Sequence, residues 1–441
     1  MCSLPILSGH GSSVVAATSG FTPVDKPEYA DYARCVHCGL CLNHCPTYRL
    51  WHNEADSPRG RIRQMQLIDE GRLELGEAFV THIDRCLDCR ACETACPSGV
   101  EYGKLVEAAR AQIEQQYKRT LLARLGRDFV FRRLLPYPQR IARTARVLWL
   151  YQRSGLAAFA RSTGILKLLG LESRERLLPE IDRKFFFSEI GGTFPAKGTR
   201  RARVALFAGC VARVAFSELN RSTIRVLQAN GCEVVIPAEQ VCCGALPAHA
   251  GVRDVARRLA RANLSAFGAE DFDAILTNAA GCGSTLKEYG HLLDAHDAAH
   301  DRAAALGSKV RDVGEFLAEL GLTAPMHRLP LRVTYQDSCH LAHGQKIREA
   351  PRQLLRSVPG VELFEMYLAD QCCGSAGIYN VTQTKASMEL LALKMDSVRE
   401  TQAQAIVTSN PGCILQLRAA TGRSGMEVLH LVELLDRATS H

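Results

Sequence analysis

The sequence predicts an α+β multidomain protein with an α-helical, cysteine-dense N-terminal domain, a helical linker, and two duplicated α/β lobes. Three observations carry that reading. Two runs of the form C-x2-C-x2-C-x3-C-P stand near the start, at Cys35, Cys38, Cys41 and Cys45 and again at Cys86, Cys89, Cys92 and Cys96. A basic stretch without cysteine follows, with apolar residues at helical spacing. Beyond Arg201, one order of short strands, helices and cysteines occurs twice. Cys210 and Cys339 are 129 positions apart, Cys242 and Cys372 are 130, and Cys282 and Cys413 are 131. That regularity marks an internal duplication.

The 441 residues suggest roughly three domains, and the apolar and charged fractions suit globular cores. The start, "MCSLPILSGHGSSVVAATSG", lacks a basic region followed by a clean apolar run, so residues 1–29 read as a flexible extension rather than an export signal. No run of 18 apolar residues is present, so no membrane-spanning helix is expected. Eighteen clustered cysteines in a chain of this length, without a secretory address, point to reduced, metal-bound thiols rather than a disulfide scaffold.

Residues 30–117 form the first domain, with helical spacing in "RIRQMQLIDEGRL" and "GKLVEAARAQIEQQYKR". Three thiolates at two-residue intervals wrap one face of a cubane, and in two-cluster ferredoxins the fourth cysteine of each run ligates the other cluster. The expected [4Fe–4S] ligand sets are therefore Cys35, Cys38, Cys41 and Cys96, and Cys86, Cys89, Cys92 and Cys45. Pro46 and Pro97 turn the chain into the next segment after the last ligand. Structural zinc also uses C-x2-C pairs but needs only four ligands, so three close cysteines plus a fourth, twice over, fit it poorly. His37 and His44 read as surface or helix-cap residues rather than groups that tune a cluster.

Residues 118–200 are the basic helical linker, ending in the Gly/Pro-bearing "EIGGTFPAKGT". From Lys118 to Lys184 there are sixteen Lys/Arg against five Asp/Glu, which more than accounts for the whole-chain charge of +8. The linker lacks aromatics interleaved for base stacking, so no nucleic-acid partner is expected. Its arginines suit anionic lipid or an acidic partner face, and a plain solvated helical surface is the competing reading.

Residues 201–325 and 326–441 are the two lobes, each a strand–helix alternation that favours a mainly parallel sheet. Each offers four cofactor-binding cysteines: Cys210, Cys242, Cys243 and Cys282 in the first, and Cys339, Cys372, Cys373 and Cys413 in the second. Adjacent cysteines form poor disulfides but suit a cluster with bridging thiolates or a pair of metals. Buried free cysteines are the competing reading, which explains the repeated spacing only as duplication without function. One cluster between the lobes and one in each are both compatible with the spacing. Gly244 and Gly374 let the backbone approach what the thiolates hold. Cys2 and Cys232 fall outside every pattern. Neither G-x-G-x-x-G after a strand nor a P-loop is present.

The order of two cubane motifs, linker and twin CCG lobes resembles the iron–sulfur subunit of glycolate oxidase, from about Tyr32 onward. Its marks here are "CVHCGLCLNHCPTY", "DSPRGRI", "DRCLDCRACETACPSGVEY", "GCGSTLKEYG" and "CCGSAGIYN". Cluster subunits of lactate and anaerobic glycerol-3-phosphate dehydrogenases, and of heterodisulfide reductase, are more distant likenesses and supply the alternative functions. The last resemblance departs at one point. Heterodisulfide reductase ends its CCG pattern in C-x-x-C, whereas Thr285 and Gln416 stand three positions after Cys282 and Cys413. That disfavours disulfide cleavage and favours plain electron transfer. The resemblance implies two [4Fe–4S] clusters, room for an additional iron–sulfur cluster at the CCG lobes, and FAD on a partner flavin-binding glycolate oxidase subunit. Electrons from glycolate oxidised to glyoxylate would pass to a quinone or other membrane acceptor. No residue of this chain is expected to be catalytic towards the hydroxy acid. The implied location is cytoplasmic, peripheral at the inner face of the cell membrane.

Overall fold

The computed structural model describes residues 18–175, 177–422 and 425–439. Residues 1–17, Cys2 among them, lie outside the described residues. The expected loose extension ran to residue 29, but its described part is packed. Phe21 is buried, the Gly20 N–H donates to the Ile68 carbonyl at 2.9 Å, and the Thr22 N–H donates to Gln112 Oε1 at 2.8 Å. Asp25 bridges to Arg253 and Arg257 of the first lobe, at 3.0 Å to each. A single buried aromatic and a few long-range hydrogen bonds leave no periodic trace in sequence.

The helices Pro58–Asp69, Glu77–Asp84 and Tyr102–Gln116 enclose the core of the first domain. Ile62, Met65 and Ile68 line one face of the first, and Leu105, Ala109 and Ile113 one face of the last, at three- and four-residue steps. The linker is helical, as expected, over Leu121–Asp128, Pro138–Arg153, Leu156–Ser162 and Ile165–Leu168. Phe131, Leu135, Ile141 and Ala145 point into the core of the lobes. The opposite side stays open. Fourteen of the twenty-three exposed large apolar side chains among the described residues lie between Leu121 and Leu178.

The first lobe holds strands β1 (Thr193–Phe194), β2 (Ala202–Phe207), β3 (Cys232–Val235), β4 (Ala274–Thr277) and β5 (Val310–Asp312), in the order β1-β3-β2-β4-β5. The second holds β6 (Leu331–Gln336), β7 (Val361–Leu363), β8 (Ala405–Thr408) and β9 (Glu427–His430), in the order β7-β6-β8-β9. All pairings are parallel except β1 with β3. The duplication is thus visible in register: Val204 faces Ala274 across β2 and β4, as Val333 faces Ala405 across β6 and β8. Sequence reading did not anticipate β1, β5 and β9, which are short and lack alternation. Cys210 and Cys339 follow β2 and β6, so the cysteines gather at the carboxyl ends of parallel strands, where such sheets place their functional groups.

One apolar core runs through both lobes. The helix Leu431–Thr439, which closes the second lobe, packs on Ser217–Ala229 of the first. There Ser222 Oγ donates to Asp436 at 2.9 Å and Arg225 Nε donates at 3.1 Å. The equivalent helix of the first lobe, Val313–Leu320, packs on Glu349–Ser357 of the second. The N-terminal domain meets the first lobe closely at Gly251, whose φ is +83° and whose added Cβ would lie 2.3 Å from the Arg110 carbonyl oxygen. Gly251→Ala should therefore lose at least about 1–3 kcal/mol. The expected readouts are faster limited proteolysis between the first domain and the lobes and a lower unfolding midpoint.

Candidate metal centres

The two cubane-type loops share one backbone shape. Their third residues, His37 and Asp88, have φ of 54° and 53°, and their fifth, Gly39 and Arg90, have φ of 86° and 60°. Alternating left-handed residues turn successive N–H groups toward the concave side, where anionic sulfur is favoured. The Asp88 N–H, for example, donates to Cys86 Sγ at 3.3 Å. Cys45 caps the helix Pro46–Trp51, with Pro46 at its first position.

The thiols fall into two neighbourhoods in the N-terminal domain. Cys35 is raised by burial and then by Cys96 and Cys38. Burial pushes Cys41 up to about 11, with Cys35 and Cys45 adding repulsion. Burial also holds Cys89 and Cys92 well above the usual thiol range, and both feel Cys45 and Cys86. Cys96 thus lies near Cys35 of the first loop, and Cys45 lies near both Cys41 and the second loop. Thiols raised in this way become thiolates only against a bound cationic centre. Sulfur-only sets of four, three from a tight loop and one from elsewhere, fit a [4Fe–4S] cluster.

The "DSPRGRI" segment braces both loops. Ser57 caps the helix Pro58–Asp69 by accepting from the Gly60 N–H at 3.0 Å. Gly60 has no room for a side chain, since a Cβ would sit 1.9 Å from the Glu54 carbonyl oxygen. Arg59 donates to the His37 carbonyl at 3.0 Å, holding the first loop. Arg61 is fully buried. It donates to the His82 carbonyl at 2.7 Å and to Thr47 Oγ1 at 3.2 Å, and it pairs with Asp56, beside Cys45 and Cys86.

Each lobe gathers its own four cysteines. In the first, Cys210 lies beside Cys242, which neighbours Cys243, and Cys243 Sγ lies 3.3 Å from Cys282 Sγ. In the second, Cys339 lies beside Cys372, which neighbours Cys373, and Cys373 lies beside Cys413. The glycine after each pair, Gly244 or Gly374, is left-handed and donates its N–H to the first thiol of the pair at 3.5 Å. The second lobe also touches the first domain. Cys89 lies beside Cys372 and Cys339, within an apolar cluster of Leu87, Ala91, Tyr379 and Leu390. Cys232 sits fully buried in β3, apart from both sets.

Several residues at these sites escaped sequence reading. Arg213 stands near Cys210 and Cys242, burial drawing it down to about 10. Lys394 stands near Cys373 and Cys372, burial drawing it down to about 8, with its ammonium donating to the Leu368 carbonyl at 2.6 Å. Each lobe therefore keeps one buried cation by its thiols. Tyr289, in the "KEYG" segment, donates to the Cys243 carbonyl at 2.7 Å and fixes the first pair.

Between the first domain and the lobes lies a buried ion network. His249 Nδ1 lies 2.8 Å from Glu107 and 3.1 Å from Asp88, and Arg90 clasps Glu288 with a second contact of 2.9 Å. Asp88, Glu107 and His249 bring their ligand atoms within 4.8 Å of one another. Arg90 and Arg110 stand 4.0 and 3.8 Å from Asp88, so guanidinium charge already fills the role a metal ion would take. Burial alone would lower His249, but its bonds to Asp88 and Glu107 outweigh that and raise it to about 9. No signal in sequence pairs positions 88, 107 and 249.

Three family models match the chain. A 4Fe–4S dicluster domain covers residues 31–100, the linker region of the glycolate oxidase iron–sulfur subunit covers 122–178, and a cysteine-rich domain matches twice, at 204–287 and 333–418. A probable glycolate oxidase iron–sulfur subunit of Bacillus subtilis (strain 168) is 41% identical over 430 residues, covering 95% of this chain and 96% of the relative. The glycolate oxidase iron–sulfur subunit of Escherichia coli (strain K12) is 34% identical over 416 residues, covering 92% and 93%. Lactate utilization protein A of Oceanobacillus iheyensis is 30% identical over 237 residues, covering 53% of this chain and 96% of the relative.

Because His249 is raised from 6.5 to about 9 in the folded protein, its contribution to the interdomain contact is complete below pH 6.5 and is lost as pH rises through about 9. Limited proteolysis between the domains should accelerate across that window. In His249→Gln the rate should be faster and flat with pH.

Proposed function

Because the chain belongs to the glycolate oxidase iron–sulfur subunit family, we propose that it takes electrons from a flavin-bearing partner that oxidises glycolate to glyoxylate, and passes them to a quinone or similar membrane acceptor. The chain is an iron–sulfur electron-transfer subunit of the glycolate oxidase type, and so part of an oxidoreductase. Cys35, Cys38, Cys41 and Cys96 would hold one [4Fe–4S] cluster, and Cys45, Cys86, Cys89 and Cys92 the other. The four cysteines of each lobe would hold a further iron–sulfur group. Such groups, when bound, supply one-electron redox steps. Oxidation of glycolate releases two electrons and two protons. A flavin on the partner would supply the change from two-electron to one-electron transfer, with the protons released to solvent, and this chain's cysteine sets would receive the electrons one at a time. An accepting quinone takes two electrons and two protons.

The observation that best supports this reading is the contact of Cys89 with Cys372 and Cys339. It joins the buried set of the first domain to the second lobe, so these thiol sets adjoin rather than stand as isolated sites. The chain's own residues orient and insulate the thiol sets. Arg61, Arg213 and Lys394 offset their negative charge, and Leu87, Ala91 and Tyr379 keep water from the contact. The linker supports the membrane side of the reading. Among the described residues no helix is long and apolar enough to cross a membrane. Arg143, Arg146 and Arg153 are exposed and make no ion pair there, beside exposed Val147 and Leu150 on the same helix. An amphipathic, basic helical surface of this kind binds anionic bilayers.

Anaerobically purified chain should carry about eight iron and eight sulfide in its first domain alone, with reducible paramagnetic signals and no zinc. It should not oxidise glycolate by itself. Co-purified with its flavin-bearing partner, it should pass electrons from glycolate to a dye, and substrate ranking against lactate and glycerol 3-phosphate distinguishes the neighbouring functions. A zinc-loaded, redox-silent preparation would overturn the reading.

The full chain should also sediment with phosphatidylglycerol vesicles and release at high salt. Arg143→Glu with Arg146→Glu should abolish sedimentation without changing iron content.

A further inference from the structure

We infer that the flavin-bearing partner docks on the loop Cys35–Cys41, with Val36 and Leu40 as its apolar anchors. This rests on the function proposed above and names the entry point it leaves open. The two cubane-type loops are repeats, and their second and sixth residues correspond: Val36 with Leu87, and Leu40 with Ala91. In the second loop both are covered. Leu87 is 5% and Ala91 1% exposed, pressed with Cys89 against Cys372, Tyr379 and Leu390 of the second lobe. In the first loop, of the same backbone shape, Val36 is 68% and Leu40 58% exposed.

The burial of the thiols runs the same way. Cys45, Cys86, Cys89 and Cys92 are buried, Cys35, Cys41 and Cys96 are half-buried, and Cys38 is exposed. The second loop thus shows, within this molecule, how such a loop seats against a redox neighbour, through the apolar residues between its cysteines. The first loop offers the same two positions, and among the described residues nothing covers them. A donor seated there would stand at the outer end of the adjoining thiol sets, with the second lobe at the inner end. The open loop is also held rigid. Arg59 donates to the His37 carbonyl and pairs with Glu54 at 2.7 Å, and a Cβ at Gly39 would lie 2.7 Å from Arg59. A preformed surface loses little conformational freedom on binding. Electron-transfer complexes bury small interfaces, so two central apolar side chains carry a large share of the contact.

The competing surface is the linker. The test uses the full chain co-expressed with its flavin-bearing subunits, and compares Val36→Asp and Leu40→Asp with Val147→Asp on the linker. Iron content, the dithionite-reduced paramagnetic spectrum and the unfolding midpoint should stay as in the unaltered chain in all three, because each position is exposed. Affinity for the isolated flavin-bearing subunit should fall about tenfold or more for the two loop variants, and remain unchanged for Val147→Asp. Unchanged affinity in the loop variants, or loss only in Val147→Asp, overturns the docking site while leaving the proposed function standing. Failure of the unaltered chain to bind any flavin-bearing subunit overturns both.

Discussion

Thiols buried next to one another resist becoming thiolates, because each negative charge loses water and repels the next. Sixteen cysteines arranged in four sets of four make that the governing constraint of this molecule. The backbone meets it with N–H groups turned inward at left-handed residues, and with glycine where the chain passes closest, as at Gly244 and Gly374. The side chains meet it with buried cations. Arg61 lies by Cys45 and Cys86, Arg213 by the first lobe's set, and Lys394 by the second's. None of these cations would be tolerated in an apolar core on its own account. Each is placed where anionic sulfur is its neighbour.

The chain is duplicated at two scales, and its directionality comes from breaking both symmetries. The cubane-type loops are alike in backbone, but one is enclosed by the second lobe and the other faces outward. The lobes are alike in strand order, but only the second places its cysteines beside the first domain's buried set. The first lobe instead meets that domain through Gly251 and the ions around His249. A symmetric molecule would have no inner and outer end. Packing that differs between equivalent positions supplies them.

Much of this was readable from residues alone, for physical reasons that differ from place to place. Metal-ligand spacing is local, so the eight cubane-type cysteines stand out at fixed short intervals. The duplication is legible because its cysteine offsets drift by only one residue per landmark. Strands β2, β4 and β8 are largely apolar runs buried on both faces, the pattern expected of parallel sheets. Strand β5, with three residues, carries no such pattern. The contacts that escaped are those in which one charged residue meets another far along the chain, such as Arg90 with Glu288 or Asp25 with Arg257. A lone arginine in sequence is a surface residue by default, and only the fold shows that Arg61 and Arg213 are not.

The two principal contacts between parts of the molecule use opposite physics, and each suits its purpose. The lobes join through a continuous apolar core, which is strong and tolerant of small adjustments. The first domain joins the first lobe through Asp88, Glu107, His249, Arg90 and Glu288, a network whose net contribution to stability is small because desolvation consumes most of the attraction. What such a network supplies is direction. Ions paired at fixed positions, with His249 hydrogen-bonded to Glu107 and Arg90 to Glu288, set angle and register where apolar surfaces would let the domains slide. Asp88, held to the first lobe by its ion pair with His249 at 3.1 Å, lies one residue from Cys89, which packs in one apolar cluster with Cys372 of the second lobe. A contact between two redox sites needs a constant separation more than it needs strength. The ionic join, set beside the one cysteine that reaches across, provides that constancy.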